Sequence, residues 1–313
     1  MFICGDWHDA ADGRTFAVVA PAYGAHLIDL AAGSAADVDA AVRAARRQVD
    51  GGDWSKLSGS ERGRLLSKLA ELLERDVDII ATLEALDVGR PASEPRFGDV
   101  PSAVGVYHHY AGWADKIEGR SISLPPAFGR ERQAHTVRQP VGVIGAVTAW
   151  NTPTLTTAWK LAPALATGNV VVLKPAEDAS LSTLHLAALI AEAGFPAGTV
   201  NIVTGIGSVA GAALIEHQGV DKISFTGSPA VGRQIGVRAM QDFRKVTLEL
   251  GGKSPQIVLG DVDVAAIAPH VAAMFLLNQD EICAAGTRIL ADRSIYDDLV
   301  VAVGDAARAV KIW

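Results

Sequence analysis

Cysteine is nearly missing. Cys4 and Cys283 are the only two in 313 residues, which excludes a disulfide framework and a multi-cysteine zinc site and leaves room for one reactive thiol. No apolar run reaches the roughly 18 residues of a membrane span. The opening Met1-Phe2-Ile3-Cys4-Gly5-Asp6-Trp7 has neither the basic stretch nor the long apolar stretch of a signal peptide. No membrane partner is therefore expected, and the expected compartment is the cytoplasm. Positive charge is the minority sign, with 28 basic against 35 acidic side chains and a formal charge of −7, which argues against nucleic acid as a partner. The eight histidines are scattered; no HExxH, Walker loop or internal repeat occurs, and no metal site is expected. What is present is the mix of a folded protein, 49% hydrophobic and 20% charged, in a chain long enough for a large core in two domains.

The first third reads as helices. Ser34 with Asp37, and Ser58 with Glu61, look like capping boxes ahead of apolar faces at Val38, Ala41, Val42 and Ala45 and at Leu65, Leu66, Leu69, Leu72 and Leu73. Gly89 offers a helix stop. Residues 121–139 change character: paired prolines, a glycine and mixed charges predict an extended arm or edge strands outside the main core. From residue 141 buried-strand runs fall at Val141–Thr148, Asn169–Leu173, Val200–Val203, Lys222–Phe225 and Val246–Leu250. Helices at Leu155–Thr167, Leu181–Ala193, Val209–His217 and Ala230–Met240 fill the gaps. That alternation predicts an α/β fold with a doubly wound parallel sheet and right-handed crossovers. A second unit is expected from Gly251-Gly252, with strands at Gln256–Leu259 and near Arg288–Ala291, and helices at Val264–Leu277 and from Ile295. At about 60 residues it holds little core of its own.

Ligands of such sheets bind beyond the carboxyl ends of the strands, so the residues there carry the functional reading. Trp150-Asn151-Thr152-Pro153 can be a plain turn. In Lys174-Pro175-Ala176-Glu177, a lysine at the ligand edge is followed by a carboxylate able to accept ribose hydroxyls. Gly205-Ile206-Gly207-Ser208-Val209-Ala210-Gly211 nearly matches a dinucleotide fingerprint but spaces its last glycine one residue too far. Thr226-Gly227-Ser228-Pro229 reads equally as a phosphate-binding helix start or an ordinary one. Glu249 ends the fifth strand, and a lone cysteine such as Cys283 is most often a small buried hydrophobe.

Six segments in order change that balance: Pro140-Val141-Gly142-Val143-Ile144-Gly145, Trp150-Asn151, Lys174-Pro175-Ala176-Glu177, Phe225-Thr226-Gly227-Ser228, Glu249-Leu250-Gly251-Gly252-Lys253 and Cys283-Ala284-Ala285-Gly286-Thr287-Arg288. Together they resemble the aldehyde dehydrogenase family over almost the whole chain. The resemblance implies NAD(P)-dependent oxidation of a small-molecule aldehyde to a carboxylic acid through a thiohemiacetal and a thioester. Cys283 matches the nucleophile, Asn151 with the backbone N–H of Cys283 the oxyanion donors, and Glu249 the general base. Trp150, Lys174, Glu177, Gly227, Ser228, Gly232 and Leu250 match cofactor contacts, and the Gly205 segment becomes a decoy. Glu177 would repel a 2′-phosphate, which favours NAD, with NADP the alternative. Glu249 favours the hydrolytic branch over a CoA-acylating one. Residues 1–250 would form the NAD-binding domain, with the arm at 121–139 for homo-oligomerisation as dimer or tetramer. Residues 251–313 would begin the catalytic domain.

The chain departs from the family at Thr152, where an aromatic is common, and at Asp280, where glycine is common. An acid at Asp280 is expected to raise the nucleophile's pKa and disturb the backbone leading to it. The pattern also breaks off at Lys311-Ile312-Trp313, where family chains run on, as in a C-terminally truncated chain. The alternative reading is therefore a non-catalytic remnant that binds NAD or a full-length relative.

Overall fold

In the computed structural model of this chain, which describes residues 1–128 and 130–311, the doubly wound α/β architecture is built on a seven-stranded sheet. Its order is Lys245–Leu250, Lys222–Gly227, Val143–Val147, Val170–Lys174, Val200–Ile202, Phe2–Ile3, Asp6–Trp7. The central strands pair in parallel, with Val143 opposite Val170, Val147 opposite Lys174, and Ile144 opposite Lys222. Val170, Val171, Val172 and Leu173 are completely buried. A strand covered on both faces carries such an unbroken β-branched run. Helices at Pro153–Ala166, Leu181–Ala193 and Pro229–Gln241 make crossovers. The chain steps outward through Val143–Val147, Val170–Lys174 and Val200–Ile202, then returns to the other side at Lys222–Gly227. The strand order thus reverses between Val143–Val147 and Lys222–Gly227, where an open α/β sheet leaves its ligand crevice.

Three expectations need correction. The sheet is not wholly parallel, because Phe2–Ile3 pairs antiparallel with both Val200–Ile202 and Asp6–Trp7. The first third is not wholly helical, because Thr15–Ala20 and Ala25–Ala31 form an antiparallel hairpin. Strands of two residues are too short to show a period, and the hairpin's exposed faces lack an apolar alternation strong enough to read. The helix expected at Val209–His217 is a π-helical turn, Gly207–Gly211, continued by one α turn at Ala212–Glu216.

The long helices of the first third are Ala35–Val49, Gly59–Arg75, Val77–Val88 and Val100–Trp113. Both capping boxes form: the Ser34 N–H donates to Asp37 and the Ser58 N–H to Glu61, each at 2.8 Å. Gly89 ends its helix at φ +79°, a left-handed conformation open to glycine. Ser121–Ala127 and Arg130–His135 pair antiparallel as a solvent-exposed hairpin, matching the arm; Gly129 lies outside the described residues.

The chain divides into two compact units: Met1–Thr226 with Arg233–Leu248, and Gly227–Gly232 with the residues from Glu249 onward. In the second, Pro255–Val258 pairs in parallel with Arg288–Ala291. Helices Val264–Leu276 and Tyr296–Arg308 bury Val258, Ala268, Val271, Ala272, Leu299 and Val303. The Asp263 carboxylate accepts the Ala265 N–H at 3.0 Å and so starts the first helix. Among the described residues no helix is long and apolar enough to cross a membrane. Ile312 and Trp313, part of the expected break in the family pattern, lie outside those residues.

Candidate active site

In the first unit the parallel register brings the ends of two strands together, and the Thr148 N–H donates to the Lys174 carbonyl at 3.2 Å. The loop beyond the first strand exposes Trp150 at 41% and leaves Asn151 half-buried. Thr152 is buried, and Pro153 takes the first helical position, where its missing N–H costs nothing. At the second strand end Lys174 is buried, and its ammonium meets the Glu177 carboxylate at 2.5 Å. Glu177 also accepts the Gly207 N–H at 3.1 Å. Burial pushes the Glu177 carboxyl up, but the Lys174 and Gly207 hydrogen bonds outweigh it and hold the group below its usual range. An internal carboxylate therefore takes an N–H of the glycine turn that resembled a phosphate loop. Gly205 has its own packing reason: it stands at φ +142°, and a Cβ there would come within 2.9 Å of the Gly33 nitrogen.

In the second unit Ser228 is exposed and caps the helix that begins at Pro229: its Oγ accepts the Val231 N–H at 3.3 Å and its carbonyl the Gly232 N–H at 2.9 Å. Gly232 and Leu250 meet. A Cβ at Gly232 would lie 2.4 Å from Leu250 Cδ2, so the close approach itself calls for glycine.

The same unit joins Cys283 to Glu249. The Cys283 thiol is half-buried beside the Glu249 carboxylate; burial first and this carboxylate second push its pKa up, while the backbone N–H groups of Cys283 and Ala284 favour the thiolate. The turn carrying the thiol is tied down on both sides. Gln256 Nε2 donates to the carbonyls of Gly286 at 2.7 Å and Val271 at 3.0 Å, the Gly286 N–H donates to Met274 at 3.1 Å, and Arg288 Nε donates to Lys253 at 2.8 Å. A thiol beside a carboxylate, with backbone N–H groups that favour the thiolate, is an arrangement that can add to a carbonyl and later activate water.

The approach to Cys283 is strained. Asn278, Gln279 and Asp280 all have positive φ, at 46°, 59° and 69°. Asp280 occupies a left-handed conformation that glycine adopts freely. The carboxylate that raises the thiol is Glu249, and Asp280 lies 3.7 Å from the Lys253 ammonium. Asp280→Gly is expected to stabilise this unit by about 0.5–1 kcal/mol. Urea unfolding read alongside amide exchange over residues 278–283 checks this, and a destabilised variant would mean that the Lys253 pair outweighs the strain.

Of the residues expected from sequence, Cys283 with Glu249, Lys174 with Glu177, and Gly232 with Leu250 are brought into contact. Trp150 and Asn151 belong to the first unit, at the end of Val143–Val147. Among the described residues no three His, Cys, Asp or Glu side chains gather as a metal site. Sequence reasoning missed Glu84 and Asp87, buried acids that reach the helices following both first-unit loops. Their signal was a pair of acids three residues apart in the mostly apolar second half of the helix Val77–Val88.

A family model described as the aldehyde dehydrogenase family matches residues 7–312. A mitochondrial aldehyde dehydrogenase of Mesocricetus auratus is 46% identical over 304 residues, covering 96% of this chain and 60% of its own length. Retinal dehydrogenase 2 of Homo sapiens is 44% identical over 302 residues, covering 96% and 58%. A solved aldehyde dehydrogenase of Bacillus cereus in complex with NAD+ superposes with a TM-score of 0.94 at 40% identity, covering 99% of this chain and 62% of that one. The chain thus spans about three-fifths of the length of the relatives it matches.

Proposed function

The chain belongs to the aldehyde dehydrogenase family, and from that membership we propose that it oxidises an aldehyde to a carboxylic acid with NAD. The single observation that carries this reading is the half-buried Cys283 thiol beside the Glu249 carboxylate in one compact unit, with backbone N–H groups that favour its thiolate. In the proposed reaction the Cys283 thiol gives its proton to a base, and Sγ forms a bond to the carbonyl carbon. The carbonyl π electrons move to oxygen, where the Cys283 N–H and the Asn151 carboxamide donate. Bound NAD supplies the hydride acceptor. Cys283 then carries the acyl group as a thioester, and Glu249 removes a proton from the water that attacks it, releasing the acid and restoring the thiol.

The residues at the strand ends fit the cofactor. Lys174 can donate to ribose hydroxyls and Glu177 can accept from them, and Glu177, held ionised by Lys174 and Gly207, would repel a 2′-phosphate. That supports NAD over NADP. Ser228 at a helix N-terminus suits a pyrophosphate, and Trp150, Gly227, Gly232 and Leu250 complete the proposed contact set. We assign residues 1–250 to the cofactor domain and those from 251 to the catalytic domain, with the 121–139 arm available for homo-oligomerisation.

Titration of the purified chain with NAD, followed by simple aldehydes with NADH absorbance as the readout, tests the proposal. Saturable NAD binding and steady NADH formation are expected. Binding without turnover would leave a nucleotide-binding remnant, and absence of both would remove the reading.

A further inference from the structure

One helix of the first unit governs the start of two others. Val77–Val88 carries Glu84 and Asp87, three residues apart and so on one face. Both are buried, Glu84 completely and Asp87 at 3% exposure. Glu84 Oε1 accepts the Thr154 N–H at 2.7 Å, in the first turn of Pro153–Ala166. Asp87 Oδ2 accepts the Leu181 N–H at 2.6 Å, the first residue of Leu181–Ala193. Neither helix is capped by its own N-cap side chain. Thr152 makes no capping bond, and Ser180 turns its hydroxyl to the Ala176 carbonyl at 2.8 Å. The caps come instead from 70 and 94 residues away.

The charge is built in. Arg90, 4% exposed, donates to Glu84 Oε2 at 2.5 Å and also pairs with Asp99. Burial pushes both acids up, Asp87 to about 7, while Arg90 opposes the rise at Glu84 and the Leu181 N–H opposes it at Asp87. Two buried carboxylates at two helix N-termini are a costly arrangement for ordinary packing, which an apolar face would serve. What they do that apolar groups cannot is bind orphan N–H groups and set where each helix begins. The first helix begins directly after Trp150-Asn151, and the second after Lys174–Glu177.

We propose that Glu84 and Asp87 are positioning residues, Glu84 for the Asn151 loop and Asp87 for the Lys174–Glu177 loop, so that one helix sets the oxyanion donor and the ribose contacts together. The proposal deepens the dehydrogenase reading and rests on it for its kinetic part. The two roles separate in kinetics. Glu84→Ala displaces the Asn151 loop and is expected to lower kcat by about 100-fold with little change in the KM for NAD. Asp87→Ala loosens the ribose loop and is expected to raise the KM and Kd for NAD about tenfold with kcat nearly kept. Glu84→Gln and Asp87→Asn keep a carbonyl acceptor and restore most of each loss.

The experiment pairs these kinetics with amide hydrogen exchange on the full chain. Exchange at Thr154 should quicken in Glu84→Ala and at Leu181 in Asp87→Ala, each recovering in the amide variant. If Glu84→Ala does not fold, Glu84→Leu combined with Arg90→Met removes the cap without stranding a buried charge and is read in the same way. Equal effects of both variants on kcat and KM, or unchanged exchange at both amides, overturn the proposal. A parent chain that neither binds NAD nor turns over would sink the dehydrogenase reading instead. Exchange would then decide the caps alone: quickening with amide rescue supports them, and unchanged exchange overturns them.

Discussion

Cys283→Ala is expected to lower aldehyde-dependent NADH formation by a factor on the order of 10⁴ or more, the scale of loss when a covalent nucleophile is removed. NAD affinity should stay at the parent value, because the proposed ribose contacts, Lys174 and Glu177, belong to the first unit. That combination separates a lost nucleophile from a lost fold. The parent's pH profile follows from the direction of the thiol shift. Burial and the Glu249 carboxylate both raise the Cys283 pKa, so little thiolate is present at neutral pH and the acylation rate climbs as pH rises toward that pKa, about tenfold per unit. Cys4 supplies the control. It stands at the chain's first strand pair, where its N–H donates to Asn201 at 2.8 Å, and Cys4→Ala is expected to leave turnover unchanged. Residual turnover above about one part in a hundred in Cys283→Ala would place the nucleophile elsewhere.

The core of the fold was legible because its physics is local. Val170 to Leu173 are buried on both faces, and a continuous β-branched run between turn residues admits few other readings. The helix Leu181–Ala193 falls where the alternation of strands and helices puts it, and Gly194 ends it in a left-handed conformation. The unread parts depend on distant partners. Phe2–Ile3 is a strand only because Val200–Ile202 offers it an edge. The capping role of Glu84 depends on Thr154, and that of Asp87 on Leu181, residues that no local pattern links to them. Gly205 shows the reverse error: its glycine meets Gly33 rather than a phosphate, so a motif can be copied by packing. In the site, the letters identified Cys283 and Glu249, but they did not reveal that the Glu249 carboxylate raises the pKa of the thiol.

Glu249→Gln carries two effects of opposite sign, which makes it the more searching variant. Removing the carboxylate removes one of the two causes that raise the Cys283 pKa, so the thiolate fraction at a given pH goes up and the rising limb of acylation moves to lower pH. Removing the base slows attack of water on the thioester by about 10²–10⁴-fold. Acylation then outruns hydrolysis. Rapid mixing of the variant with NAD and aldehyde is expected to show a burst of NADH approaching one equivalent per chain, followed by a steady rate lowered by that factor. The burst amplitude counts functional sites, so a folding defect, which shrinks it, is distinguishable from a chemical one, which leaves it whole. Gln at this position still offers a hydrogen bond to sulfur, so the thiol keeps its place while losing only the charge beside it. A variant with no burst and a steady rate within about twofold of the parent would take the base role from Glu249 and leave the carboxylate as a modulator of the thiol alone.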